Sequence, residues 1–179
     1  PDSSPIPAQG REGEALTPTQ ASALGHALAQ HAQQPGALLV VLHAVQEALG
    51  FVPRAAVPVI AEALNLSRAE VHGVVSYYPH FRERPTGRTL VQVCRAEACQ
   101  SRGADALLAH AEQSLGCKAH ATRADGAVTL EPVYCLGLCA QSPAIMVDEH
   151  EVHARMTAVK FDRLAAQWLA QENPEKCGV

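Results

Sequence analysis

Four of the six cysteines of this chain stand in two close pairs, Cys94 and Cys99 as C-x4-C and Cys135 and Cys139 as C-x3-C, with 35 residues between the pairs. Each pair comes directly after a β-rich stretch, Thr89-Leu90-Val91-Gln92-Val93 before the first and Ala127 to Glu131 before the second. Loops that leave neighbouring strands emerge at one edge of a sheet. The pattern therefore calls for a sheet whose loops bring four thiols to one place.

Ahead of the pairs the periodicity is helical. Thr17 is an N-cap, Pro18 takes the first helical position and Gln20 completes a capping box. Leu24, Ala27, Leu28 and Ala32 follow at helical spacing until Gln33-Gln34-Pro35-Gly36. A second helix is expected over Ala37 to Leu49, stopped by Gly50, and a third from Pro53 through Val57, Ile60, Ala61 and Leu64. Ser67 and Glu70 make another capping box for a fourth, which carries Val71, Val74 and Val75 to Tyr77-Tyr78 and ends at Pro79. Residues 17–80 read as a helical bundle, preceded by a flexible arm over 1–16 and followed by a polar linker over 81–88. Alanine makes up 32 of the 179 residues, which suits closely packed helices rather than bulky interiors.

Residues 89–172 read differently. After the first β-rich stretch, Ser101 caps a helix over Ala104 to Leu115 that Gly116 closes. Strands are expected over Lys118 to Arg123 and Ala127 to Glu131 around the Asp125-Gly126 turn. Two short strands, Ala144 to Val147 and Glu151 to Val152, join at Asp148-Glu149-His150. A last helix from Thr157 has Phe161, Leu164, Ala165, Trp168 and Leu169 on its apolar face, and a tail covers 173–179. The fold class is α+β, an N-terminal helical bundle followed by a compact α/β domain with an open sheet.

Three chemistries could use the cysteine quartet. Structural zinc takes four thiolates, usually two residues apart within each pair, so x4 and x3 lie at the loose end of its range. Disulfides need an oxidising compartment. The stretch Pro1-Asp2-Ser3-Ser4-Pro5 lacks a basic segment leading into an apolar one, so a cytoplasmic location is expected. A [2Fe–2S] cluster spans more volume than one ion, and the wider gaps suit it best. Gly137, in the uncharged stretch Tyr134-Cys135-Leu136-Gly137-Leu138-Cys139, lets main-chain N–H groups approach sulfur. Leu136 and Leu138 supply burial, and Arg95 and Arg102 could offset cluster charge or lie solvated at the surface. A Rieske centre needs two histidine ligands, and no His lies within three residues of any of the four cysteines. Cys117 reads as a small packed residue, Cys177 as a free thiol, and His26, His31 and His110 as surface positions on helices.

Other function classes fall away. With 14 basic and 18 acidic residues scattered along the chain, nothing resembles a phosphate-neutralising surface, so nucleic acid is not an expected partner. The longest apolar run, Ala37 to Leu42, is far below the ~20 residues that span a bilayer, so no membrane insertion is expected. No nucleophile–base pair, phosphate loop or HExxH occurs, and no catalytic residues are assigned.

The pattern C-x4-C…C-L-G-x-C-x-x-x-P, preceded by a bundle ending in Val74-Val75-Ser76-Tyr77-Tyr78, resembles a known family. It is similar to the thioredoxin-like [2Fe–2S] subunit that accompanies the NADH-oxidising flavoprotein of respiratory complex I, and to its relatives in NAD-linked hydrogenases and soluble formate dehydrogenases. The likeness covers about residues 17–171. The stretches Cys94 to Ser101 and Asp125 to Tyr134 look closest to the gamma subunit of molybdenum-containing, NAD-dependent formate dehydrogenase. Complex I members tend to carry Thr-Pro where this chain has Glu97-Ala98. The resemblance implies a thioredoxin-like C-terminal domain with Cys94, Cys99, Cys135 and Cys139 as cluster ligands and a cis peptide bond before Pro143. It also implies a flavoprotein partner holding FMN and binding NAD(H), with which the cluster exchanges electrons. A large catalytic subunit with a molybdenum bis-pterin cofactor and further Fe–S clusters would oxidise formate to CO2, and the bundle would dock on the flavoprotein. The alternatives are the equivalent subunit of complex I or of an NAD-linked hydrogenase, and, from a different class, a zinc-stabilised interaction module.

Overall fold

A computed structural model describes residues 15–170, which divide into two compact units between Pro85 and Thr86. The expectations for residues 1–14, for 171–179 and for Cys177 lie outside the described residues.

The first unit contains α1 (Pro18–His31), α2 (Ala37–Leu49), α3 (Ala56–Ala63) and α4 (Arg68–Tyr77). Both capping boxes form. The Thr17 hydroxyl accepts from the Gln20 N–H at 3.3 Å and Gln20 Oε1 accepts from the Thr17 N–H at 3.0 Å. Ser67 and Glu70 repeat the exchange at 3.2 and 2.7 Å. Gly50 ends α2 at φ 79, a left-handed conformation that suits glycine. Helix α3 begins three residues later than its sequence suggests, because Pro53 and Arg54 carry only the i→i+3 bonds of a turn, from Ala56 and Val57. Pro58 falls in the first turn of α3, where its missing N–H costs no helical bond.

The core of this unit is aliphatic, with Leu24, Val41, Leu42, Val45, Ile60 and Val71 at 2% exposure or less. One buried amide crosses it. Gln46 donates from Nε2 to the His80 carbonyl at 2.8 Å and accepts at Oε1 from the Arg82 N–H at 2.8 Å, which ties the segment after α4 to α2. Replacing Gln46 by Leu removes both of these bonds. The expected loss is about 1–3 kcal/mol, read as a lowered melting temperature by far-ultraviolet circular dichroism. An unchanged melting temperature would show that the segment does not depend on this amide.

The second unit is a five-stranded sheet in the order β2-β3-β1-β4-β5, with β1 Thr89–Cys94, β2 Ala121–Thr122, β3 Val128–Val133, β4 Ile145–Val147 and β5 Glu151–His153. Strand β1 is central, parallel to β3 and antiparallel to β4. Between the strands run α5 (Glu97–Gln100), α6 (Ala104–Leu115) and a 3-10 helix (Cys139–Gln141), and α7 (Ala158–Ala170) closes the unit. Val91 and Val93, Val128 and Leu130, and Ile145 and Val147 point to one face, where Leu107, Ala111 and Leu115 of α6 and Phe161, Ala165 and Trp168 of α7 complete the core.

Several local expectations shift. Only Ala121–Thr122 is strand out of the stretch from Lys118 to Arg123, with His120 and Arg123 each adding one backbone bond to β3, whereas β3 runs on through Pro132 to Val133. Along β3 the carbonyls of Val128 and Leu130 face β2 and those of Ala127 and Val133 face β1. Pro132 therefore turns its backbone toward β2, past that strand's end, and no ladder bond is lost. Ser101 does not cap α6. Its hydroxyl donates back to the Ala98 carbonyl, and Gly103 at φ 90 begins α6 instead. Gly87 is needed for close approach, since a Cβ there would lie 2.8 Å from the Gly126 oxygen.

His110 is half-buried rather than a plain surface residue. Its Nε2 pairs with Asp162 Oδ1 at 2.7 Å, the Ser114 hydroxyl donates to the same oxygen at 3.0 Å, and its ring meets Phe161 edge-on. These bonds, the histidine's first, hold the Asp162 carboxyl below its ordinary range. A carboxyl depressed in the folded state adds stability above its unfolded value, near pH 4, and loses it as pH falls through the folded value. The urea midpoint of this unit, followed by the fluorescence of Trp168, should drop from about pH 4 downward, and less so in Asp162→Asn. Equal pH dependence in the two proteins would refute the contribution of this clip.

Candidate metal centre

The parallel pairing of β1 and β3 sends both C-terminal ends to the same edge of the sheet, with Cys94 opposite Val133. Cys94 is the last residue of β1, and Cys135 comes two residues after the end of β3. The pairs do not lie wholly in loops, as the sequence suggests. Cys99 sits in α5, a single turn in which the Ala96 carbonyl accepts from the N–H groups of Cys99 and Gln100, both at 2.9 Å. Cys139 opens the 3-10 helix. The peptide bond from Ser142 to Pro143 is cis, as expected, and Ala144 follows it, accepting from the Cys94 N–H at 3.0 Å.

The four cysteines converge but are unequally exposed. Cys94 and Cys99 are 2% exposed in an apolar nest with Ala104, Ala96, Val133 and Leu136, while Cys135 and Cys139 are open to solvent. The sulfurs of Cys135 and Cys139 are 3.9 Å apart. Two thiolates on one tetrahedral metal, with bonds of about 2.3 Å, lie ~3.8 Å from each other, so this spacing fits one metal held by two thiolates. Among the described residues, no group of three or more His, Cys, Asp or Glu gathers around a single-ion position.

Backbone donors are aimed at the sulfurs. Burial pushes the Cys94 thiol up, but bonds from the Ala96 N–H, the Cys99 side chain and the N–H groups of Leu136 and Cys135 outweigh it, and the net direction is down. Stabilised negative charge on a buried sulfur is what a metal-bound thiolate requires. Burial and the neighbouring Cys94 raise Cys99, against a bond from the Ala144 N–H. Cys139 is raised by its bond with Cys135 and by the charge there. Gly137, at φ 76, directs its N–H at the Cys135 sulfur from 3.4 Å. Cys135 itself holds φ 101, a conformation that costs a non-glycine residue of order 1–3 kcal/mol.

Of the two arginines read as charge partners, Arg95 is committed to Asp105, at 2.8 and 2.9 Å. Arg102 lines a cleft of about 510 Å3 together with Ser101, Gln141, Ser142, Arg155 and Thr157. Cys117 packs at the margin of the sheet core, where burial raises its thiol. The donors Ala96 and Ala144 carry no side-chain signal. Only the proline before Ala144 marks that bend in the sequence. No helix among the described residues is long and apolar enough to cross a membrane.

Comparison with known proteins gives the arrangement a context. Residues 24–169 match the family model of the thioredoxin-like [2Fe-2S] ferredoxin. A subunit of the NADH-quinone oxidoreductase of Pseudomonas aeruginosa is 34% identical over 134 residues, 75% of this chain and 81% of that one. Its namesake from Escherichia coli (strain K12) is 32% identical over 153 residues, 86% of this chain and 92% of that one. Among solved structures, an NAD+-reducing [NiFe]-hydrogenase in the H2-reduced state superposes with a TM-score of 0.63 at 23% identity. That match covers 79% of this chain but only 23% of the hydrogenase chain, and it speaks to the fold alone. A matched region that contains both cysteine pairs, the strand order that unites them and two curated relatives of more than 30% identity lead to one assignment: the chain belongs to the thioredoxin-like [2Fe-2S] ferredoxin family.

Proposed function

We propose that Cys94, Cys99, Cys135 and Cys139 hold one [2Fe–2S] cluster and that the chain is a non-catalytic electron-transfer subunit of an NADH-dehydrogenase-like complex. The observation that carries this is the meeting of two cysteine pairs at one sheet edge, one pair 3.9 Å apart at sulfur, in a chain of this family. When bound, such a cluster supplies a one-electron couple whose potential depends on burial and on hydrogen bonds to sulfur. The residues present provide both. Cys94 and Cys99 lie under Leu136 and Ala104, and N–H groups of Ala96, Leu136, Cys135, Ala144 and Gly137 face the sulfurs.

The partner in this reading is a flavoprotein that holds FMN and binds NAD(H). The bundle over 17–80 docks on it, 81–88 links, and the domain over 89–172 carries the cluster. The finer assignment is the gamma subunit of a soluble, molybdenum-containing, NAD-dependent formate dehydrogenase, supported by the stretches Cys94 to Ser101 and Asp125 to Tyr134. A second reading, the equivalent subunit of complex I, is favoured by the names of the curated relatives.

Anaerobic isolation of the tagged chain with its native partners separates these. Molybdenum in the isolate together with formate-dependent NAD+ reduction supports the first. NADH oxidation coupled to quinone, without molybdenum, supports the second. One zinc per chain and no iron would end both in favour of an interaction module.

A further inference from the structure

The two cysteine pairs differ in a way that concerns the chain before any cluster is loaded. We propose that Cys135 and Cys139 form a modification site for low-molecular-weight disulfides such as glutathione disulfide, closing to an intraloop disulfide that blocks cluster uptake until a dithiol reopens it. The blocking step rests on the cluster reading above. The oxidation itself does not.

Access selects the pair. Thiol–disulfide exchange requires a thiolate to reach the attacked sulfur in line, through a mixed disulfide. Cys94 and Cys99 are 2% exposed under Leu136 and Ala96, whereas both thiols of the second pair are open to solvent. Proximity completes the reaction. The Cys139 sulfur lies 3.9 Å from that of Cys135, so a mixed disulfide on either is within reach of the other thiol. The approach to a bond of about 2.05 Å must come from the loop, and that loop has no charge and turns through Gly137 at φ 76. Tyr134, Cys135, Gly137, Cys139 and Ala140 are exposed, and Leu136 and Leu138, the side chains between the two thiols, are half-buried, with Leu136 packed against Cys94 and Cys99.

The chemistry balances with one equivalent of oxidant. One thiolate attacks glutathione disulfide, an S–S bond forms to the protein, and glutathione leaves. The neighbouring thiolate displaces the second glutathione. The two protein thiols lose two electrons and two protons, the oxidant becomes two thiols, and Cys135 and Cys139 are joined.

The sequence makes the product easy to read. Trypsin cuts after Arg123 and Arg155 with no Lys or Arg between, so Cys135 and Cys139 share one peptide, while Cys94 and Cys99 fall on separate peptides bounded by Arg88, Arg95 and Arg102. The full chain is prepared cluster-free, reduced, treated anaerobically with glutathione disulfide, quenched with an alkylating agent and mapped by mass. The expected result is a peptide 124–155 two hydrogens lighter and free of label, with Cys94 and Cys99 fully alkylated once the protein is unfolded. Stable glutathione adducts on this peptide, a disulfide joining Cys94 to Cys99, or labelling of all four cysteines alike would each overturn the proposal. The oxidised chain, supplied with iron and sulfide, should develop no cluster absorbance until dithiothreitol is added. A Cys139→Ser chain should retain a glutathione adduct instead of closing. A reduced chain that takes up no cluster would defeat the functional reading while leaving the mapped disulfide standing. A mapped disulfide in a chain that still loads its cluster would defeat the block.

Discussion

Reconstitution of Cys94→Ser with iron and sulfide should yield a chain without the thiolate-to-iron absorption band and without the S = ½ resonance on reduction. The change is small in size and large in effect. The Cys94 sulfur is buried and collects the N–H groups of Ala96, Leu136 and Cys135. A hydroxyl at this place is less acidic, shorter and a poorer ligand for iron, so the donors that stabilise a thiolate face a group that stays protonated. Loss of an organising ligand or of its supporting bonds costs about 10–100-fold in metal affinity even at positions beyond the ligands, and more is expected here. The helices of the first unit lie elsewhere in the chain, so the far-ultraviolet spectrum should keep its helical shape. Unchanged visible absorption in Cys94→Ser would refute its place among the ligands. The same substitution at solvent-exposed Cys135 should weaken the cluster spectrum, and an unaltered spectrum there would refute that ligand too.

The second large effect is on stability. Phe161 is fully buried between the sheet and α7, edge-on to Trp168 at 5.7 Å and to His110 at 6.2 Å. Truncation to alanine removes a ring from the packed core and leaves a void, at a cost of about 3–5 kcal/mol. Against a domain stability of roughly 5–15 kcal/mol, Phe161→Ala should lower the urea midpoint of the sheet unit by about a fifth or more. The chain has one tryptophan, Trp168, and it lies in this core, so its fluorescence reports the unit directly. A loss below about 1 kcal/mol would show that the site repacks.

The bundle was legible because its signals act within one helical turn. Thr17 with Gln20 and Ser67 with Glu70 close their own capping boxes whatever surrounds them. Gly50 and Gly116 stop their helices through their own backbone. The errors fall where a distant element decides. Lys118 to Arg123 has the composition of a strand, yet only Ala121–Thr122 form strand pairs with β3, flanked by single backbone bonds from His120 and Arg123. His110 lies on a helix face that only the arrival of α7 turns into an interior. At the candidate site, spacing picked out two cysteine pairs that the structure brings to one sheet edge. It could not tell buried from open, because that depends on Leu136 and Ala104 folding over one pair and not the other.

The parallel ladder also fixes an order of events. Helices α1 to α4 rest on contacts between near neighbours in sequence, and such structures close in microseconds to milliseconds. Joining Thr89 to Val128 must wait until α5, α6 and β2 have been made, and the closure of so long a loop carries its entropy in advance of any reward. During synthesis the bundle can be complete while β3 is still unmade. Cys94 then spends that interval at the end of a strand with no parallel partner, and the two cysteine pairs can meet only once β1 and β3 have joined.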